Sequence, residues 1–150
     1  MKRILFIALI TLTAFGCSRT KVVEAVYENG NAKVERYYHK KGGILVLDRE
    51  VVYYANKQVK MEGDYKNELR EGIWKAWYEN GRIWSVGEYK EGKRNGEGIY
   101  YHDNGKKNIE GMYSNDIRVG KWRFYDTTGA LTKEVDFDQV PETSRNDSLR

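Results

Sequence analysis

The chain has one proline, one cysteine and two histidines in 150 residues. A lone cysteine excludes a disulfide framework and any zinc site built on several thiolates. His39 and His102 leave little for metal or acid–base chemistry. The sequence offers no Ser, His and Asp arrangement and no glycine-rich loop leading into a helix, so no phosphate cradle is expected. We therefore expect no enzyme, no cofactor and no metal. Charge of one sign is also scarce: 26 Lys and Arg stand against 22 Asp and Glu, a net +4. Two of those cations, Lys2 and Arg3, open the chain, and without them the balance is 24 against 22 with no basic block. Nucleic-acid binding needs positive charge clustered on one face, so it is not expected. What the chain does have is 12 Tyr, 4 Trp and 15 Gly.

The opening segment reads as an address. After Lys2 and Arg3, the stretch Ile4 to Gly16 carries no charge, the layout of a secretory signal. It is too short to cross a bilayer, which takes a helix of about 20 apolar residues. Thr13-Ala14-Phe15-Gly16-Cys17 resembles a bacterial lipobox, with Ala14 where Leu is usual and Phe15 where a small residue is usual. That resemblance implies lipidation of Cys17 through a thioether, and cleavage that leaves it as the acylated N-terminus. Palmitate-like chains contribute ~0.8 kcal/mol per buried methylene, so several chains anchor stably. Ser18 rather than Asp after the cysteine implies the outer membrane in a two-membrane cell. The expected organisation is a signal peptide over 1–16, a lipidated N-terminus and tether over 17–26, an array over 27–137 and a flexible polar tail over 138–150. The expected location is the cell envelope.

The array shows as a period of 24 residues. Gly72, Gly96 and Gly120 keep that step, as do Gly81, Gly105 and Gly129. So do Tyr65, Tyr89, Tyr113 and Phe137, and Gly63, Gly87 and Gly111 with Val135. Tyr53, Trp77, Tyr101 and Tyr125 form another column; Trp74 and Trp122 form one with Gly98 between them. Further back, Tyr38 matches Tyr65 at 27 residues, which places a three-residue insertion near His39–Asp48. Such a period marks a stacked array in which each unit needs its neighbours to cover its apolar face. Within a unit, Ile73 to Tyr78 and Arg82 to Tyr89 are strand-like runs separated by Glu79-Asn80-Gly81, and Asn-Gly favours a tight turn. Lys90 to Gly96 is expected to return the chain as a loop. The predicted fold is all-β: an antiparallel meander of repeated hairpins in an elongated open sheet.

Alternation predicts the faces of the second run. Val59, Ile83 and Leu131 (Lys107 being the exception) fall on an apolar side with Met61, Ser85, Ile109, the glycine column and the Tyr65 column. Lys60, Asn108, Thr132 and the carboxylates Glu62, Asp64, Glu110, Glu134 and Asp136 fall on a charged side. The glycines are expected to let an aromatic ring lie flat over the neighbouring strand. Trp74 and Trp77, three apart, fall on opposite faces unless a bulge intervenes. The carboxylates read as a solvated charge row, and His102 as a turn residue.

Gly72-Ile73-Trp74-Lys75-Ala76-Trp77-Tyr78-Glu79-Asn80-Gly81 with Gly87-Glu88-Tyr89 resembles the MORN repeat in its bacterial second type, and Gly120-Lys121-Trp122-Arg123-Phe124-Tyr125 begins another good copy. The middle copy departs, with Gly98 in the Trp place, so one rung is expected to be poorly filled. The resemblance covers 50–137 well and 24–49 loosely. It implies a scaffold or membrane-associated module; some bacterial members carry antitoxin-type labels, against which the secretory leader argues.

One local deviation points to contact. Trp84 stands in the column of Lys60, Asn108 and Thr132, and Val86 in that of Glu62, Glu110 and Glu134. Two apolar residues on a charged face make a candidate contact patch, unless a loop or the N-terminal segment covers them. The functional expectation is a membrane-anchored interaction scaffold whose partner is a protein or envelope polymer. A carbohydrate- or cell-wall-binding module using Trp and Tyr platforms is the alternative.

Overall fold

The computed structural model describes residues 19–141. The expected signal peptide, Cys17, Ser18 and the tail from 142 onward lie outside the described residues. Ten strands form one antiparallel sheet in chain order: β1 (Thr20–Val26), β2 (Ala32–Lys41), β3 (Ile44–Tyr53), β4 (Val59–Lys66), β5 (Leu69–Trp77), β6 (Ile83–Lys90), β7 (Lys93–Tyr101), β8 (Lys107–Ser114), β9 (Ile117–Tyr125) and β10 (Leu131–Asp136). The sheet is an open meander, as expected, ending at β1 and β10. A 3-10 turn over Phe137–Gln139 follows β10, and the Asp138 carboxylate accepts from the Gly120 amide at 2.9 Å. The chain is thus still tied to the sheet where the flexible tail was expected to begin.

Two kinds of turn alternate. Asn67-Glu68, Glu91-Gly92 and Asn115-Asp116 have positive φ at both residues, the geometry that matches a right-twisted hairpin. The loop expected over Lys90–Gly96 therefore shrinks to two residues, and Lys93 already begins β7. The wider turns start at Tyr27, Tyr54, Tyr78, His102 and Asp126, whose amides bond to the carbonyls of Asn31, Gln58, Arg82, Lys106 and Ala130. Each wide turn also clasps the next. The hydroxyls of Tyr27, Tyr54 and Tyr78 donate to the carbonyls of Tyr53, Trp77 and Tyr101 at 2.7, 2.8 and 2.7 Å. His102 takes the same place, its Nε2 3.0 Å from the Tyr125 carbonyl. Because that partner only accepts, Nε2 carries the proton, and His102 is the turn residue expected.

The expected tether does not extend to residue 26, since Thr20–Val26 is a strand. Val23 pairs with Glu35 and Lys21 bonds the Glu35 carboxylate at 2.7 Å. Without β1, the buried Glu35 would lose its cation partner. The inserted residues near His39–Asp48 lengthen the β2–β3 hairpin, whose turn is Gly42-Gly43, and His39 bonds Asp48 at 2.7 Å across it.

A recurrent bulge corrects the predicted faces. Ala76 pairs with Ser85 but Trp77 with Ile83, leaving Trp84 as the extra residue. Lys33, Lys60, Asn108 and Thr132 are skipped in the same way. An extra residue resets the alternation, so residues before it change sides. Lys107 is no exception: it reaches Glu110 at 2.6 Å on the charged face. Val59 shares that face, lining a hollow with Glu62 and Trp77, and Ile83 and Leu131 pair with Trp77 and Tyr125 at the equivalent places. Trp74 and Trp77 do lie on opposite faces: Trp74 meets Tyr65 and Tyr89, whereas Trp77 sits by Glu62.

Candidate functional site

The charged face is a ladder rather than a row of free carboxylates. Residues Val23, Glu35, Val51, Glu62, Lys75, Val86, Ile99, Glu110, Arg123 and Glu134 are successive cross-strand partners. Arg49 bridges Glu62 and Asp64 at 2.8 and 2.9 Å, and Arg123 and Lys121 hold Glu134, each at 3.1 Å. Glu110 accepts from Lys107 and from the Tyr125 hydroxyl at 2.5 Å; these bonds outweigh burial and hold its carboxyl below the ordinary range. Cations engaging the carboxylates across strands fit a structural ladder.

Glu35 is the most enclosed of these groups. Burial pushes its carboxyl up, but bonds from Lys21, Tyr53 and Tyr37 overcome that and hold it below the ordinary range. A depressed carboxyl contributes stability above its unfolded pKa, about 4.3, and loses it as pH falls through the lower folded value. The melting temperature is thus expected to hold between about pH 5 and 7 and fall below about pH 4. Glu35→Gln should flatten the acid limb; an unchanged limb in thermal melts would remove Glu35 as a contributor.

The opposite face carries rings. Gly63 lies beneath Trp74 and Gly111 beneath Trp122, so close that an added Cβ would sit 2.2 and 2.3 Å from the indole atoms. The glycine column does what was expected of it at these two rungs. Each indole nitrogen donates to a backbone carbonyl at 3.1 Å, Trp74 to Asp64 and Trp122 to Met112. Rings meet edge to face in sequence: Tyr65 to Trp74 at 5.4 Å, Trp74 to Tyr89 at 6.0 Å, Tyr113 to Trp122 at 4.8 Å and Trp122 to Phe137 at 6.0 Å. Such contacts add about 0.5–1.5 kcal/mol each beyond area burial. Trp122 is 0 % exposed although, among the described residues, no second sheet covers this face.

Gly72 and Gly120 make this possible. Gly63 falls in a bulge opposite Gly72, Ile73 and Trp74, since Glu62 pairs with Lys75 but Asp64 with Glu71, and Gly72 turns the strand there with φ +70°. Gly120 repeats the bulge with φ +61°. A side chain at such a φ is strained, which gives the Gly72, Gly96 and Gly120 column its physical reason.

Guanidinium groups cap the rings, a column the sequence reading missed. Arg70 stands 4.0 Å above Trp74 and 5.5 Å from Tyr89, and Arg118 stands 4.4 Å above Trp122 and 5.3 Å from Phe137. Arg94 completes the 24-residue step, 4.3 Å over Tyr113. The periodic signal was present, but Arg94 lay in a segment read as loop.

At the middle rung the ring chain breaks. Gly87, Gly98 and Gly111 are cross-strand neighbours, three glycines side by side. Tyr113 lies over Gly98 and Trp122 over Gly111, while over Gly87 only an edge of Tyr89 comes within 3.8 Å of a built Cβ. The result is a concavity of about 460 Å³ walled by Trp74, Trp84, Tyr89, Tyr100 and Tyr113, with Arg70 and Arg94 at its margin. The poorly filled rung expected at Gly98 is therefore present. The Arg94 guanidinium donates to the Tyr113 hydroxyl at 3.0 Å, and Tyr113 and Tyr100 hydroxyls meet at 3.2 Å. Burial and this contact push the Tyr100 hydroxyl up to about 12, so it stays protonated.

The patch read as Trp84 plus Val86 does not form. The bulge turns Trp84 to the ring face, where it meets Tyr100 edge-on at 6.3 Å, 46 % exposed. Val86 stays on the charged face between Lys75 and Ile99. Of the remaining candidates, Tyr101, like Trp77 and Tyr125, is a half-buried strand end, and Gly96 takes φ +121° in its bulge. Cys17 lies outside the described residues.

Comparison with known proteins agrees with this geometry. No curated protein matches the chain. A solved structure, "Crystal structure of GtfA/B complex bound to UDP and GlcNAc", aligns over 91 % of this chain and 25 % of its own at 12 % identity, with a TM-score of 0.30. The chain thus spans a quarter of that protein's length, and the likeness is too slight to carry an argument. The family described as "MORN repeat variant" matches residues 49–67, 70–91, 94–115 and 118–139. Those segments follow the hairpins β3–β4 (from Arg49), β5–β6, β7–β8 and β9–β10, so the chain belongs to the MORN repeat variant family.

Proposed function

We propose that this protein is a lipid-anchored component of the cell envelope whose sheet is a non-enzymatic scaffold that binds another protein. The observation that carries the reading is the ring face: an otherwise filled aromatic chain with one open rung, bordered by the exposed Trp84. Concavities lined by rings and a few polar groups are where proteins take ligands. The charged face supports the same view, because its carboxylates are engaged by cations rather than poised for proton transfer. Burial of Trp74, Tyr113 and Trp122 favours a protein partner over a carbohydrate, since sugar platforms need accessible ring faces.

The address rests on residues 1–18. Cys17→Ser is expected to move the protein from the membrane to the soluble fraction on cell fractionation. Continued pelleting with membranes would overturn the lipid anchor. Cross-linking of the full chain in its host, followed by identification of attached proteins, tests the scaffold; attachment of glycan alone would favour the wall-binding alternative.

A further inference from the structure

We infer that the open rung over Gly87 binds a tryptophan side chain presented by an acidic segment of a partner protein. The inference rests on the scaffold reading and adds the chemistry of its ligand. Three observations lead to it. First, the two neighbouring rungs show what the site is shaped to hold. Over Gly63 and Gly111 lies an indole, between a tyrosine and a second ring, with its nitrogen bonded to a backbone carbonyl and a guanidinium on its face. The open rung keeps the parts around that indole. Gly87 is the floor, Tyr89 and Tyr113 are the flanking rings, and Arg94 is the cation one period from Arg70 and Arg118. Glu88 holds the column of Asp64 and Met112, whose carbonyls accept from the indoles. The ring is missing because Gly98 stands in the Trp column, and here Gly87 pairs directly with Gly98 while Glu88 takes the bulge.

Second, the vacancy is not closed by the chain itself. Tyr113 leans over Gly98, yet the concavity of about 460 Å³ persists between Tyr89 and Tyr113. An aliphatic guest would occupy volume there but would forgo the edge-to-face contacts and the guanidinium over its face.

Third, charge selects the surroundings of the guest. Arg94 is already held by Asp116 at 3.3 Å, whereas Arg70 has no carboxylate partner among the described residues. A carboxylate beside the inserted indole would pair with Arg70 at the rim. Trp84, exposed and edge-on to Tyr100, closes the other side. Buried aromatic anchors of this kind supply most of the affinity in protein interfaces.

The test is a fluorine NMR titration of the purified protein with the peptide acetyl-Asp-(5-fluorotryptophan)-Asp-amide. Wild type should shift or broaden the fluorine resonance to saturation. Gly98→Trp, which supplies the missing ring from within, should weaken binding by about tenfold or more. Gly98 has no positive φ, but its Cβ would fall 2.8 Å from the ring of the buried Tyr113, which must shift to admit it. Should Gly98→Trp fail to fold, Gly87→Val obstructs the same floor, where a Cβ meets nothing nearer than 3.8 Å. Arg70→Gln should weaken the acidic peptide and leave acetyl-Gly-(5-fluorotryptophan)-Gly-amide unchanged. No fluorine response with wild type, or binding as tight as wild type in a folded Gly98→Trp or Gly87→Val variant, overturns the inference. So does N-acetylglucosamine oligomer binding that Gly98→Trp abolishes while the peptide fails to bind. Host cross-linking separates the two readings. A partner captured equally by wild type and Gly98→Trp leaves the scaffold standing and removes this site. Peptide binding with no captured protein leaves the site and removes the scaffold.

Discussion

Trp122→Ala is expected to lower the unfolding free energy by ~3–5 kcal/mol, the usual cost of deleting a buried Trp. The side chain is fully buried, meets Tyr113 and Phe137 edge-on, lies beneath Arg118 and bonds the Met112 carbonyl. Its loss would strip the floor at Gly111 and leave the nearly buried Arg118 without its aromatic platform. A small domain has about 5–15 kcal/mol in total, so the variant should melt far below wild type. Because repeats are stabilised by their neighbours, the loss should concentrate in β8 to β10, where hydrogen exchange would show faster opening than in β2 to β4. A shift in the urea midpoint equivalent to less than about 1 kcal/mol would mean that the aromatic chain contributes little.

Gly111→Ala should destabilise by ~1–3 kcal/mol, the range for an overpacked site, although alanine suits a strand better than glycine. The added Cβ would fall 2.3 Å from the Trp122 indole, which must then lift away from the sheet. Gly87→Ala is the internal control. It is one repeat earlier in the same column, and its Cβ would meet only a tyrosine edge at 3.8 Å. It should be neutral or slightly stabilising, because alanine restricts the unfolded chain. Equal losses at the two positions, by thermal or urea unfolding, would contradict the account of the open rung. The substitution is the same at both sites; they differ in the overlying indole and in register, since Gly111 lies in its bulge whereas Gly87 pairs with Gly98.

Much of this was legible in the sequence. The step from Trp74 to Gly98 to Trp122 marked the vacant rung, and the Gly63 column marked where rings would lie. Other features were not. Arg70, Arg94 and Arg118 keep the period, but arginines near turns read as solvated until the aliphatic stem is seen to carry the guanidinium over a ring. Thr20–Val26 looked like a tether because it precedes the recognisable repeat; its strand character follows from the cation and backbone partners it gives β2.

The sequence by itself determined the period, the hairpin unit, the open all-β sheet and the place of the missing tryptophan. Each of these follows from side-chain size and turn chemistry recurring at a fixed step, which chain order alone records. The tertiary structure decided which way residues before the bulge face. It set Ile83 beside Trp77 and turned Trp84 from the charged face to the rim of the concavity. Alternation is a local rule, whereas a bulge arises where two strands choose their hydrogen-bond partners. One skipped residue reverses the sides of all that precede it, and that choice belongs to the pair of strands rather than to either segment.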